Sequence, residues 1–187
     1  MISPYKILSV AAFGLVVTLP LLDNLPATAE LSQPIELIAQ AAGEPQIILN
    51  LAVAKKAVKA TVEGKEQVQW QELEDGVAVA PGDVLRYTIS GQNTGKTPAS
   101  DLEVTQPIPD LMVYKLDSAA SKEPAKITYS VDRGETFVAN PTIQITQEDG
   151  TVIERPAPAE AYTHIRWNFA SVTPETGAKA TFKVQVQ

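Results

Sequence analysis

The chain has 187 residues, a formal net charge of −7, one histidine and no cysteine. Without cysteine there is no disulfide framework, no thiol catalysis, no Cys-based zinc site and no lipid anchor at a Cys. The acidic balance argues against nucleic-acid partners and anionic lipid surfaces.

The N-terminal residues have the form of an export signal. Lys6 supplies a short charged region, 7–19 is uncharged and largely apolar, and Ala27-Thr28-Ala29 has the small-x-small pattern of a cleavage site. The apolar run is shorter than the ~20 residues of a membrane span, and Pro20 interrupts it. The expectation is a signal peptide over 1–29, a mature N-terminus at Glu30, a linker over 30–45 with a short helix over 35–42, and one domain over 46–187. Any membrane attachment would run through an uncleaved signal segment. Cleavage removes one Lys and one Asp and leaves the net charge at −7.

The domain opens with a strand from Gln46, with Ile47, Leu49, Leu51 and Val53 on one face and Ile48, Ala52 and Ala54 on the other. Val68, Gln69 and Trp70 form a second short strand, and 72–76 is an acidic turn. Pro81-Gly82 has the residues of a type II turn, with Gly82 at φ > 0. Leu85, Tyr87 and Ile89 then alternate with polar residues. After the loop Asn93-Thr94-Gly95, Leu102 and Val104 alternate likewise, until Pro107 and Pro109 end the ladder.

Further strands are expected over 111–116, 127–131, 142–146 and 152–153, with turns at Asp132-Arg133-Gly134-Glu135 and Glu148-Asp149-Gly150. Residues 155–159 read as loop. Ile165, Trp167 and Phe169 alternate with Arg166 and Asn168. The last strand directs Ala180, Phe182, Val184 and Val186 inward. Short strands, frequent turn residues and no convincing helix give an all-β antiparallel sandwich of about seven to nine strands. On this phase Trp167 lies in the core and Arg166 on the opposite face, where its loss should cost little.

Candidate chemistry is sparse. His164 precedes a strand, lacks a nucleophile-elbow context such as G-x-S-x-G, and has no second nitrogen or sulfur ligand for zinc. The acids Glu72, Glu74, Asp75, Glu148 and Asp149 lie in turns and form no EF-hand loop. Lys55 is in phase with an inward face, yet no Asn stands where an isopeptide cross-link would need it. Trp167 and Tyr87 belong to the core, and Trp70 and Tyr162 are the aromatics left for a sugar platform. No catalytic, cofactor-binding or metal-binding residue is assigned, and no cofactor is expected.

Pro81-Gly82-Asp83-Val84-Leu85-x-Tyr87-Thr88-Ile89, Asn93-Thr94-Gly95, Pro107-Ile108-Pro109 and Tyr129-Ser130-Val131-Asp132-Arg133-Gly134-Glu135-Thr136-Phe137 together resemble the bacterial surface repeat domain known as domain of unknown function eleven. The likeness runs over 46–187. It implies an immunoglobulin-like sandwich of exported and cell-surface proteins and brings no catalytic residues. This chain carries one copy and shows no C-terminal anchor motif, unlike the usual tandem stalks. The resulting expectation is a non-enzymatic structural or protein-interaction module of the cell envelope, partnered by another envelope or surface protein. The alternative is a small module binding carbohydrate or calcium.

Overall fold

The structure is a computed structural model that describes residues 16–18, 44–60, 66–73 and 78–187. The cleavage site, the linker up to residue 43 with its expected helix, and residues 74–76 of the expected acidic turn lie outside the described residues, while Glu72 ends a strand.

In chain order the strands are β1 (Val16–Thr18), β2 (Ile47–Ala60), β3 (Glu66–Glu72), β4 (Val84–Asn93), β5 (Ala99–Pro107) and β6 (Met112–Tyr114). Then follow β7 (Ala120–Ser121), β8 (Lys126–Ser130), β9 (Thr142–Thr146), β10 (Val152–Pro156), a 3₁₀ turn over Ala159–Ala161, β11 (His164–Val172) and β12 (Gly177–Val186). One sheet has the order β3-β2-β4-β12-β6, with β7 also on β12; the second has the order β1-β5-β11-β8; β9 and β10 form a separate hairpin. All pairings are antiparallel. The two larger sheets pack face to face as a β-sandwich.

The core follows the period-2 pattern that places alternate residues on one face of a strand. Leu85, Tyr87 and Ile89 of β4 and Ala180, Phe182 and Val184 of β12 meet Leu102 and Val104 of β5 and Ile165, Trp167 and Phe169 of β11. Phe182 sits opposite Tyr87 in the ladder, stacks on it at 4.9 Å between centroids, and lies 6.0 Å from Trp167 of the other sheet. Ile47, Leu49, Leu51 and Val53 flank this core, as their shared face requires.

Two loops fix the ends of β4. At its start the Asp83 amide donates to the Ala80 carbonyl at 3.0 Å, and Gly82 has φ 91°, the geometry of the expected type II turn. The turn is tied to the last strand: the Gly82 amide donates to the Val186 carbonyl and the Val186 amide to the Asp83 carbonyl. The Asp83 carboxylate accepts the Ala80 amide at 2.8 Å and pairs with Lys55 Nζ at 2.6 Å. Lys55 is therefore an ion-pair partner that pins β2 to this turn.

At the other end of β4 the buried Asn93 amide joins four backbone groups. Its Nδ2 donates to the Thr97 and Val172 carbonyls, and its Oδ1 accepts the Gln46 and Gly95 amides. Gly95 passes so close to the incoming chain that a Cβ would lie 2.5 Å from the Glu44 carbonyl oxygen.

Several elements differ from the sequence reading. β7 is too short to show a period. β10 runs on to Pro156, which its position at the end of a strand paired only with β9 permits. The 3₁₀ turn over Ala159–Ala161 falls where loop was expected to end. Val16–Thr18, within the segment read as a signal, forms a strand on β5.

Arg166 also needs correction. It lies on the outer face as expected, but its Nε donates to Thr105 Oγ1 at 3.0 Å and its Nη1 stands 3.6 Å from Glu103 Oε2. Its guanidinium carbon lies 3.6 Å above the Phe137 ring. Trp167→Ala should cost about 3–5 kcal/mol, and Arg166→Ala about 1–2 kcal/mol from the lost cation–π contact and hydrogen bond. Denaturant midpoints of the two variants measure this; equal losses would contradict the assigned strand phase.

Candidate functional site

A cleft of about 460 Å³ lies at the end of the sandwich opposite Asn93. The end of β5 and the following Pro-rich turn (107–112) form one wall, and Tyr162, Thr163 and His164 form another, with Arg133 and Glu160 at the rim. The backbone at the cleft is constrained: Leu111 and Arg133 have φ of 62° and 63°. For residues with a Cβ this conformation carries strain.

Behind Arg133 lies a hydrogen-bond network built on the Ser130-x-Asp132-x-Gly134 turn. Ser130 Oγ donates to Asp132 Oδ1 at 2.6 Å and accepts the Asp132 and Gly134 amides. The Asp132 carboxylate also accepts the Thr136 amide, and the Thr136 hydroxyl at 2.5 Å. Thr163 Oγ1 donates to the Ser130 carbonyl and accepts the Arg133 amide. His164 Nδ1 lies 3.1 Å from the same Thr163 oxygen. One face of the imidazole rests on Gly134, where a Cβ would come within 3.4 Å of the ring.

These contacts define what the residues do. Nucleophilic catalysis requires a serine hydroxyl hydrogen-bonded to a base that takes its proton. Here the Ser130 proton goes to Asp132, its lone pairs are taken by two backbone amides, and His164 faces Thr163. The arrangement closes a loop around a strand end.

Protonation states agree with that role. Burial lowers the His164 pKa, with the nearby Asp132 charge acting in the opposite direction and Arg166 adding to the lowering. Hydrogen bonds from Ser130 and Thr136 hold the Asp132 carboxyl well below the usual carboxylate range.

The other aromatic residues are packed against neighbours. Tyr114, Tyr129 and Tyr162 form a trio with centroids 5.3–5.7 Å apart. Burial first, and then a hydrogen bond with Tyr114, raise the Tyr129 pKa. Burial pushes Tyr87 up to about 12, and its hydroxyl points at Met112 Sδ, 3.5 Å away. Trp70 has the Arg86 guanidinium 4.5 Å above its ring. Trp70 and Tyr162 thus lie in separate clusters and do not form a shared row.

Among the turn acids, the Asp149 carboxylate accepts the Thr151 amide at 2.9 Å, which lowers its pKa. Among the described residues no group of three or more His, Asp or Glu side chains is placed to hold a metal ion. No protein family, curated protein or solved structure matches this chain.

Sequence reasoning identified the turn at Gly134, which has φ 89°, and placed His164 at a strand end among hydrogen-bonding neighbours. It missed the Ser130–Thr163 connection and the tyrosine trio. Both join residues more than thirty positions apart or on different sheets, and no local spacing signals them.

The His164 pKa shift has a definite sign. A histidine whose folded pKa is lowered contributes stability above its ordinary value of 6.5 and loses it as pH falls. Wild-type stability should therefore fall between pH 7 and pH 5 relative to His164→Asn. Paired urea titrations at the two pH values check this. A gap that widens in favour of wild type as pH falls would contradict it.

Proposed function

We propose that this chain is an exported, non-enzymatic module of the bacterial cell envelope or surface, with a structural or protein-interaction role. On this reading 1–29 is a cleaved signal, the body is an immunoglobulin-like sandwich akin to the surface repeat domain named above, and the partner is another envelope or surface protein.

The observation that carries the reading is the work done by the motif residues. Pro81, Gly82 and Asp83 build the turn joined to Val186, and Asn93 and Gly95 build the joint at the opposite end. Asp132 and Gly134 fold the loop beneath His164. Each motif is spent on holding a sandwich together, as expected of a spacer or docking module whose partners meet its surface. Function belongs to sites rather than folds, so the fold alone does not carry this proposal.

The strand order is this chain's own variant. In the immunoglobulin arrangement the last two strands share a sheet; here β11 and β12 lie in opposite sheets and β12 pairs with β4. On this reading the likeness to that domain is limited to sandwich architecture and turn residues, and the closing strand is placed differently.

N-terminal sequencing of the protein recovered from envelope and culture-supernatant fractions tests the export step. The expected sequence begins at Glu30. A chain that begins at Met1 and occurs only in the cytoplasm would overturn the proposal.

A further inference from the structure

The second sheet has two edges of different character. On the β8 side the edge is covered, because the Tyr129 amide donates to the Val138 carbonyl at 2.8 Å and the Val138 amide donates back at 3.0 Å. On the β5 side the covering strand is β1, with Val16 opposite Thr105, Val17 opposite Val104 and Thr18 opposite Glu103. β1 is the end strand of this sheet, and among the described residues no other strand pairs with that side of β5, so removal of 1–29 would expose it.

An unpaired edge is a template for another strand, and proteins blunt such edges with charge, proline and kinks. β5 carries the kink and the proline at its ends, and its central charge, Glu103, is paired with Arg166. Asp101 has φ 50°, and the register with β11 skips it, passing from Leu102–Phe169 to Ser100–Ser171. Pro107 has no amide hydrogen. Between them 102–106 is regular, and this is the window that β1 uses.

We propose that the β5 edge is the docking site for an extended segment of a partner protein, and that β1 covers this edge until residues 1–29 are removed. The proposal rests on the interaction-module reading and adds the site and the chemistry of the occupant. Main-chain pairing supplies the affinity in this mode, and alternate side chains supply the choice of partner.

Residues directly opposite in an antiparallel pair share a face of the sheet. The occupant's residue opposite Val104 therefore lies on the face of a buried side chain and is apolar, best β-branched. The residue opposite Glu103 is uncharged or basic, because like charges across a ladder destabilise it. Val17 and Thr18 of the chain itself occupy those two register positions.

The test uses a peptide carrying residues 14–19 with a solubilising lysine tail. It is titrated into isotope-labelled full-length chain, into the chain beginning at Glu30, and into the full-length Val16→Pro/Val17→Pro variant. Adjacent amides in a strand point to opposite sides, so one of the two prolines must remove a donor facing β5. The chain from Glu30 and the double variant should bind one peptide, with amide shifts centred on 103–105. Full-length wild type should bind at least about tenfold more weakly, because its own strand competes at high effective concentration.

Equal binding to all three chains would overturn the covering role. Absence of binding, shifts centred on β2, or a dimer of the Glu30 chain formed through β5 would overturn the docking site. If the mature N-terminus is at Glu30 and any of those results is found, the envelope-module reading stands and this site falls.

Discussion

The sandwich depends on one buried amide. Asn93 ends β4, and its side chain reaches the first residue before β2, the loop that crosses to β5, and the last residue of β11 in the opposite sheet. Two donors and two acceptors of the amide are each used. A buried amide with all four bonds made is a rigid joint, whereas losing one partner leaves buried backbone groups without hydrogen bonds at a cost of about 1–3 kcal/mol apiece. The joint also explains Gly95. The chain before β2 lies against it, and any side chain there would collide with the Glu44 carbonyl.

The opposite end carries the cleft. There the Asp83 turn grips Val186, the Ser130–Asp132 network folds the loop under His164, and the strained Leu111 and Arg133 border the cleft. The β9–β10 hairpin stands apart from both sheets and exposes Ile145 and Val152. The sandwich thus has one end closed by Asn93 and one end with a cleft.

The legible parts of the fold are those encoded by local period and turn chemistry. Leu85–Tyr87–Ile89 and Ile165–Trp167–Phe169 alternate cleanly, and both sets are buried. Pro81-Gly82 fixes its own turn. What the sequence hides is set by distant partners. Asn93 reads as an ordinary loop residue until Val172, far along the chain, is brought beside it. Arg166 reads as a solvated charge until the turn after β8 carries Phe137 over its guanidinium. β1 reads as part of an apolar export signal, and its pairing depends on an edge that exists only after β5 and β11 have assembled. The candidate site has the same character, since Thr163 connects to Ser130 only through the β8–β11 register.

Native-state hydrogen exchange at Gln46 and Gly95 tests the Asn93 joint most directly. Both amides donate to Asn93 Oδ1, and neither is part of a strand ladder. If the joint holds the two sheets together, these amides open only when the sandwich opens, and their protection should match that of core amides in β4. Exchange as fast as in an exposed loop, while Tyr87 and Ile89 stay protected, would contradict the account.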